Sequence, residues 1–268
     1  MRIRKLGIGF LLAGLLIPGC GRGFEQGLLV FAGAGLTDAL QAQAARYLEK
    51  EGLPEDAIRF HFHSSNVCAA QIRQGAPADL FLSADERIVR RLIEEERVDA
   101  PTFTPLLRNR LVLIVPARRT SPIRSFADLQ KTRWRRFAIG NPESVPAGRY
   151  GKEALESMGL WEHIEPGVIR AEHIRQAMLY VVRGEADAGI VYASDAAVEE
   201  RVVVAEDFPA EHTPAIIFAG GVIQTARHPG AARRFLDWLA SDEAAGLWLE
   251  YGFIPIRASR PPDSLPGE

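Results

Sequence analysis

The 268-residue chain has few cysteines and no excess of charge of one sign. Its two cysteines, Cys20 and Cys68, are too few for a fold held together by disulfides. The 32 basic residues are balanced by 34 acidic ones, so the chain has no excess of positive charge with which to bind a nucleic-acid backbone. We therefore expect no nucleic-acid partner. Apolar residues make up 47% of the chain and charged residues 25%, which excludes a disordered or collagen-like protein.

The beginning of the chain predicts an export signal rather than part of the fold. Basic residues precede an apolar run over 6–18, which is short for a segment that spans a bilayer. The run ends in Ile-Pro-Gly-Cys at 17–20, which resembles a bacterial lipobox, the motif whose cysteine is lipidated. We therefore expect 1–19 to be a lipoprotein signal peptide, Cys20 to be the membrane anchor, and 20–27 to form a tether. A plain signal peptide and an uncleaved anchor are the alternatives, and all three place the protein outside the cytoplasm, on the periplasmic side of the cell envelope.

The rest of the chain alternates short apolar runs with helical patterns, which predicts an α/β protein made of β-α-β units. Strands are expected over 28–32, 58–62, 79–83, 111–115, 137–140, 188–192 and 215–222. Helices are expected over 37–51, 67–74, 86–96, 147–158, 174–182, 230–240 and 242–251. The last residues, 257–268, contain three prolines and predict a loose C-terminal tail.

Four times along the chain a strand runs into a loop of small and polar residues, and each loop opens a helix. The loops span 32–37, 63–66, 141–148 and 171–174. A helix N-terminus leaves N–H groups unpaired and carries about half a positive charge, so each loop is a potential anion site. Ligands of open α/β sheets bind at the edge where such loops meet. Small residues also serve tight turns, so the spacing alone leaves anion binding and turn formation both open.

Five motifs, in order along the chain, resemble those of the periplasmic molybdate-binding proteins of ABC importers, which are type II solute-binding proteins. The motifs are FAGAGLTDA at 31–39, GAPADLFLSAD at 75–85, VPAGRYGKEAL at 145–155, GIVYASD at 189–195 and YGF at 251–253. Each motif is weak alone. Five in register over nearly the whole exported chain make the resemblance specific.

The resemblance implies two lobes, each a mixed sheet flanked by helices, joined by two crossing strands with a ligand closed between them. We place lobe one at 25–107 plus 218–256 and lobe two at 108–217, with the crossings in 111–115 and 215–218. It further implies a receptor rather than an enzyme, one that needs no cofactor. We expect this receptor to be a monomer. Such a receptor captures molybdate or tungstate and delivers it to a membrane permease driven by a cytoplasmic ATPase.

In the family, backbone N–H and hydroxyl groups hold a tetrahedral oxyanion without a metal or a paired cation. The resemblance assigns a hydroxyl and an N–H to Ser65, one N–H each to Ala147 and Ile174, and a phenolic hydroxyl to Tyr192. The serine of the family's first loop falls on Gly35, which keeps an N–H but has no hydroxyl.

The glycine at position 35 leaves three outcomes open. A water could fill the gap and preserve a weaker molybdate site. A neighbouring residue could supply a replacement donor, and the candidates are Ala34, His63, Asn66 and Arg149. Alternatively, the enlarged space could fit a different oxyanion or a small carboxylate or phosphonate, with the fold and location unchanged.

Other chemistry finds less support in the sequence. His61 and His63 alternate on a predicted strand, but two ligands without a third do not make a metal site. Cys68 is interpreted as a small buried residue. The aspartates of the matched motifs are expected to position loops, because a carboxylate facing an anion would repel it; they are Asp79, Asp85 and Asp195.

Two further classes of protein with this fold are disfavoured. An enzyme would need a nucleophile or an acid–base pair, and the four loops offer no converging carboxylates. A regulatory effector domain would be cytoplasmic, which the export signal argues against.

Overall fold

The structure is a computed structural model that describes residues 27–118 and 121–256. The predicted signal peptide, the lipidation site Cys20, nearly all of the tether and the C-terminal tail lie outside the described residues. Within those two ranges, no helix is both long enough and apolar enough to cross a bilayer.

Two mixed sheets form the framework, which confirms the predicted α/β class. The strands are β1 (Leu28–Gly33), β2 (Ile58–His63), β3 (Leu80–Ser83), β4 (Thr104–Asn109), β5 (Leu111–Pro116), β6 (Phe137–Gly140), β7 (Val168–Ala171), β8 (Ala188–Tyr192), β9 (Val202–Asp207), β10 (Ile216–Val222) and β11 (Ile254–Pro255). The first sheet has the order β11-β4-β10-β3-β1-β2 and the second the order β7-β6-β8-β5-β9. Strand β1 runs parallel to β2 and β3, and β6 runs parallel to β7 and β8. Antiparallel neighbours complete both sheets.

Helices cover the sheets and begin near most of the predicted positions. They are α1 (Thr37–Glu51), α2 (Ser65–Arg73), α3 (Glu86–Glu94), α4 (Phe126–Lys131), α5 (Pro146–Ser157), α6 (Trp161–Ile164), α7 (Ile174–Val182), α8 (Ala193–Ala197), α9 (Pro229–Leu239) and α10 (Asp242–Glu250). A 3-10 turn over Ala34–Leu36 leads directly into α1. Helix α2 begins two residues earlier than expected, because the Ser64 hydroxyl caps it by accepting the Val67 N–H at 3.3 Å.

The chain passes from one sheet to the other twice. Strand β4 belongs to the first sheet and β5 to the second, so the first passage lies at Arg110. The second passage is the segment 208–215 between β9 and β10. Both passages therefore come just before the apolar runs in which we expected them. The lobe boundaries given above stay predictions.

Four strands were not predicted from the sequence. Strand β11 has only two residues and is too short to show a pattern, and the other three differ from the expected patterns for physical reasons. Strand β4 contains Pro105, which cannot donate a ladder hydrogen bond, and the register shifts between Phe218 and Ala219 on the strand opposite. Strand β9 lies at a sheet edge and exposes Val203 and Val204, so its apolar residues do not alternate with polar ones. Strand β7 is a four-residue edge strand.

The best-predicted strands are buried on both faces. All residues of Leu111–Val115 in β5 are buried, and α5 and α7 pack against the same sheet. A strand covered on both faces is a continuous apolar run rather than an alternating one, which is the pattern that marks this segment in the sequence. The carboxyl ends of β1, β2, β6 and β7 all lead into helix starts, and these starts line the cleft between the two sheets.

Candidate functional site

A small cavity lies in the cleft between the lobes, and the space between its lining atoms, including its opening to solvent, is about 230 Å³. It is lined by Gly33, Ala34, Gly35, Ser64, Ser65, Ala84, Val145, Pro146, Ala147, His173, Ile174 and Tyr192. The structure thus brings together the five residues that the family resemblance assigned to the oxyanion, together with Ala34 from the additional candidates. Within the part of the chain that the structure describes, the lining includes no Asp, Glu, Lys or Arg.

Four helix starts converge on this cavity. The turn at Ala34–Leu36 and helix α2 belong to the first lobe, whereas α5 and α7 belong to the second. The first N–H groups of a helix have no acceptor within the helix, and each N-terminus carries about half a positive charge. The cavity therefore offers unpaired N–H groups and positive potential without a cationic side chain.

The position of Gly35 leaves room for a small side chain. A Cβ atom built there would lie 3.5 Å from Ile174 Cγ2 and from Tyr192 Cδ2, and 3.6 Å from Asp195 Oδ1. These are ordinary van der Waals distances. Gly35 is therefore not required by close packing, and the missing hydroxyl of the family pattern leaves space beside the phenol of Tyr192.

Ser65 is buried and its hydroxyl oxygen already accepts one hydrogen bond. Ser65 Oγ accepts from the N–H of Ala84 at 3.0 Å. A hydroxyl can accept and donate at once, so its own hydrogen is left to point into the cavity. Because Ser64 caps α2 on the Val67 N–H, the N–H groups of Ser65 and Asn66 at the first turn remain outside the helical ladder.

A close contact between two glycines sets the start of α5. Pro146 occupies the first helical position and has no N–H, so Ala147 supplies the first donor of this helix. A Cβ built on Gly148 would lie 1.9 Å from the carbonyl oxygen of Gly140, the last residue of β6. Only glycine allows this approach, and the approach fixes where the Ala147 N–H lies.

Two histidines face each other across the cleft, and one of them, His173, lines the cavity. His173 Nδ1 caps α7 by accepting the Gln176 N–H at 3.2 Å, and His63 Nδ1 accepts the Ser64 N–H at 2.8 Å. Their ring centroids are 5.9 Å apart. Burial lowers the pKa of His173, and the neighbouring His63 lowers it further, so His173 is held neutral. Histidine is an uncommon capping residue, and the sequence contained no signal for this role.

Tyr192 places a neutral donor at the base of the cavity. Its side chain is 1% exposed, and among the described residues its hydroxyl has no hydrogen-bond partner. Burial raises the pKa of Tyr192 well above its usual range, so the phenol keeps its proton. Its ring packs edge-on against Phe218 of the first lobe, with centroids 5.2 Å apart. A buried hydroxyl without a partner costs about 1–3 kcal/mol, so an acceptor placed in the cavity would relieve this cost.

The aspartates of the matched motifs position backbone groups, as predicted. Asp79 accepts the N–H groups of Leu29 and His228, both at 2.9 Å, and ties β1 to the start of α9. Asp85 caps α3 by accepting the Arg87 N–H at 3.0 Å.

Asp195 lies behind Tyr192 as the third of these aspartates. It is fully buried and accepts the Tyr192 N–H at 3.2 Å. Its Oδ1 atom is 2.8 Å from Arg175 Nε. Burial raises the pKa of Asp195 to about 6, against the lowering effect of Arg175 and of the Tyr192 N–H. Arg175, which neutralises this carboxylate, was not identified from the sequence.

Three of the additional candidates lie outside the cavity. Asn66 and Arg149 line a wider depression at one side of the cleft, and His63 lines another. The guanidinium of Arg149 is 2.5 Å from Asp85 Oδ2 and 3.0 Å from Glu153 Oε1. Arg149 is thus held by carboxylates rather than turned toward the cavity.

The remaining candidates have structural surroundings. Cys68 is buried and free, and burial raises the pKa of its thiol to about 12, which confirms its interpretation as a small buried residue. The ring of His61 packs on Phe31 with centroids 4.5 Å apart. Across 27–118 and 121–256 no group of three or more His, Cys, Asp or Glu residues is arranged to hold a metal ion.

Comparison with known proteins gives relatives that span nearly the whole described chain. The sequence model of a family described as bacterial extracellular solute-binding protein matches residues 28–254. The chain is 37% identical to the molybdate-binding protein ModA of Escherichia coli, over 85% of this chain and 89% of ModA. It is 35% identical to YvgL of Bacillus subtilis, whose name describes a substrate-binding lipoprotein of an ABC transporter, over 92% of this chain and 96% of YvgL. The structure of the periplasmic molybdate-binding protein of Azotobacter vinelandii matches with a TM-score of 0.76 at 22% identity, over 85% of this chain and 98% of that one.

Proposed function

The chain belongs to the bacterial extracellular solute-binding protein family, and on that premise we propose that it is the molybdate-binding component of an ABC importer. Members of this family bind solutes for transport, and we propose that this chain likewise acts as a binding protein and not as an enzyme. The molybdate specificity is supported by the name of the Escherichia coli relative and by the five motifs that this chain shares in order with molybdate-binding proteins.

The observation that carries the proposal is a cavity lined by hydrogen-bond donors and no charged carboxylate. N–H groups at four helix starts and the hydroxyls of Ser65 and Tyr192 surround it, and the described residues contribute no Asp or Glu to the lining. A fully deprotonated oxyanion only accepts hydrogen bonds, so a set of donors suits it. An anion that still carries a proton, such as hydrogen phosphate, meets no carboxylate in the described lining to accept that proton, so it gains less from the same set of donors.

Capture between the lobes follows from the distribution of the donors. Gly35 and Ser65 belong to the first lobe, whereas Ala147, Ile174 and Tyr192 belong to the second. An anion that accepts from both sets stabilises the arrangement in which the lobes are close together. In this proposal, the loaded protein delivers molybdate or tungstate to the membrane permease, and it does so as a monomer without a cofactor.

The proposed location is the periplasmic side of the cell envelope, with a lipid on Cys20. The basic and apolar pattern of the first twenty residues supports this placement, as does the lipoprotein named among the relatives. A Cys20→Ser variant should not incorporate labelled palmitate in its host and should be recovered without membrane association. Palmitate incorporation that persists in this variant would contradict anchoring at Cys20.

A second candidate ligand is favoured by the space at Gly35. A Cβ at this position would meet its neighbours at no less than 3.5 Å, so the native ligand could occupy the place of the family's serine hydroxyl. A different oxyanion, or a small carboxylate or phosphonate, would then be the cargo of a protein with the same fold and location.

Isothermal titration separates these two candidates. Molybdate, tungstate, sulfate and phosphate are titrated into micromolar protein under one set of conditions. We expect saturating heat with molybdate and tungstate, and weak or no heat with sulfate and phosphate. The absence of heat with both molybdate and tungstate would overturn the proposal.

A further inference from the structure

Two ion pairs cross the cleft outside the cavity. Arg149 on α5 of the second lobe is 2.5 Å from Asp85 at the start of α3 in the first lobe. Arg175 on α7 of the second lobe is 2.6 Å from Asp38 on α1 of the first lobe. Each pair therefore joins a helix of one lobe to a helix of the other, and none of the four side chains lines the cavity.

The Arg149–Asp85 pair is partly withdrawn from water. The Asp85 side chain is 5% exposed and that of Arg149 is 29% exposed. The guanidinium of Arg149 also lies over the ring of Tyr150, 4.5 Å from its centroid, and pairs with Glu153 one turn along the same helix. An arginine whose position is already held loses less side-chain entropy when it pairs, so this contact should stabilise more than an exposed pair.

The Arg175–Asp38 pair is supported in a similar way. Arg175 is 19% exposed, and its Nε atom is held 2.8 Å from the buried carboxylate of Asp195 in its own lobe. Asp38 is more exposed, at 43%, so we expect this pair to contribute less than the first.

Both arginines lie on the helix turns that carry the proposed N–H donors. Arg149 follows Ala147 by two residues on α5, and Arg175 follows Ile174 directly on α7. A short helix moves as a rigid unit, so a movement that brings these N–H groups to an anion also brings the two guanidinium groups to the carboxylates of the first lobe.

We propose that Arg149–Asp85 and Arg175–Asp38 are latches that hold the lobes together and set the rate at which the bound anion leaves. The inference rests on the proposed function, because the anion is taken to be bound between the lobes. These are positioning residues: they touch the opposite lobe and not the anion. They therefore change the fraction of closed protein, which scales the apparent affinity for every anion by one common factor.

Two variants remove a latch with little other damage. Arg149→Met keeps the aliphatic stem, and Asp85 retains its contact with Arg87 Nε at 3.2 Å. Asp38→Asn leaves Arg175 paired with Asp195. Substituting Asp85 or Arg175 themselves would be less informative, because Asp85 also caps α3 and Arg175 neutralises a buried carboxylate.

Each variant has a matched control within one lobe. Lys152→Met removes a cation from the same helix α5, where Lys152 pairs with Glu156 of its own lobe at 3.6 Å. Asp242→Asn removes an acid from the first turn of α10, as Asp38→Asn does from the first turn of α1. Arg149→Lys preserves the charge and should recover most of the wild-type behaviour.

The first measurement is dissociation of radiolabelled molybdate from the protein into excess unlabelled molybdate, with the Kd of molybdate and of tungstate from titration. We expect Arg149→Met to raise the dissociation rate about 5- to 10-fold and Asp38→Asn about 2- to 5-fold, and the double variant to approach the product. Molybdate and tungstate should lose affinity by the same factor, and the two controls should match the wild type.

The second measurement is small-angle X-ray scattering of the protein without any anion. The latch variants should show a larger radius of gyration than the wild type and the controls, because a smaller fraction of molecules is closed. Equal radii and equal dissociation rates for Arg149→Met and Lys152→Met would overturn the latch. Unequal losses for molybdate and tungstate would overturn it too, because they would indicate contact with the anion. If the wild-type protein binds no anion, the proposed function is wrong. The scattering comparison still tests the latch in that case, because it is made without any anion.

Discussion

The cavity between the lobes is lined by backbone N–H groups, hydroxyls and the imidazole of His173, whereas the rim of the same cleft carries arginines and aspartates paired across it. The cavity donors belong to main chain or to short, buried side chains such as Ser65 and Tyr192. The rim pairs are long side chains with 19–29% exposure on the arginine side.

This difference indicates that the cavity donors select the anion, whereas the ion pairs at the rim favour closure of the lobes. Neutral donors at fixed positions stabilise a bound anion only when its oxygens lie where the donors point, because hydrogen bonds are directional. A full cation in the cavity would attract any anion, including those that carry protons. Charges at the rim satisfy each other only when the lobes are together, so they can favour closure without choosing the ligand. Variants of the cavity should therefore change anion affinity more than variants elsewhere in the cleft.

Removing a cavity hydroxyl should produce the largest loss. Tyr192→Phe removes a donor to a charged group, which is worth about 1.5–3 kcal/mol, or roughly a 10- to 150-fold rise in the Kd for molybdate. Because the hydroxyl has no partner among the described residues, thermal stability without anion should not fall. Ser65→Ala should weaken binding by a similar factor, but it also leaves the Ala84 N–H without its acceptor and should lower stability.

Titration calorimetry and thermal unfolding check both variants. Tyr180→Phe, on a half-buried tyrosine of α7, is the matched control and should leave the Kd unchanged. An unchanged Kd for Tyr192→Phe would show that the phenol does not contribute a hydrogen bond to the anion.

The backbone part of the cavity can be disturbed through Gly148. A methyl group there would collide with the Gly140 carbonyl at 1.9 Å, so Gly148→Ala should lower the free energy of unfolding by about 1–3 kcal/mol or more and displace the Ala147 N–H. Urea unfolding and titration with molybdate measure the two effects.

Gly246→Ala is the control, since a Cβ on this helical glycine meets nothing within 4 Å. It should raise stability by about 0.5–1 kcal/mol and leave binding unchanged. If Gly148→Ala were as stable and as tight-binding as the wild type, the glycine contact would not set the geometry of this loop.

Adding a hydroxyl at position 35, where the family has a serine, tests whether a further donor in the cavity strengthens binding. Gly35→Ser adds a donor in a space that accepts a Cβ at 3.5 Å from its nearest neighbours, and it should tighten molybdate binding about 10-fold. Gly35→Ala fills the same space without a donor and should leave the Kd within about 3-fold of the wild type. Weaker molybdate binding by Gly35→Ser would indicate that the native ligand occupies this space.

His173 should give the smallest effect, which depends on pH. Burial and His63 hold the pKa of His173 below its ordinary value of about 6.5, so the folded protein binds fewer protons here than the unfolded chain. The contribution of His173 to the free energy of unfolding is therefore highest above about pH 6.5, where His173 is neutral in both states. It decreases as the pH falls below that value, because the unfolded chain then takes up a proton more readily than the folded protein. His173→Asn keeps a capping acceptor but does not titrate, so it should lose less stability than the wild type between pH 7 and pH 5. Urea unfolding at the two pH values measures this difference, and an equal or larger loss in the variant would contradict it.

The residues of the cavity could be predicted from the sequence better than the ion pairs of the rim. Ser65, Ala147 and Ile174 lie in predicted loops that follow strands, and Tyr192 ends a strand. Because strand ends meet at one edge of a sheet, their convergence on one cavity could be predicted. Arg149 could not be placed in this way. Its partner Asp85 is 64 residues away and on the other lobe, and no local pattern indicates such a pair.

Helix boundaries show the same limit on a smaller scale. The prediction for α2 began at Val67, because the apolar pattern begins there. The hydrogen bond from the Val67 N–H to Ser64 moves the start to Ser65 and so turns the Ser65 N–H into a free donor. Capping by His173 and the opposing charge of Arg175 on Asp195 depend on side-chain directions that only the folded chain defines.

The most direct measurement of the cavity's role is a crystal structure of the protein grown with molybdate, with the metal located by its anomalous scattering. We expect one strong peak inside the cavity, with oxygens within hydrogen-bond distance of the Ser65 and Tyr192 hydroxyls and of the N–H groups of Gly35, Ala147 and Ile174. A peak held instead by Arg149 or other rim arginines, with the cavity donors turned away from it, would contradict the account.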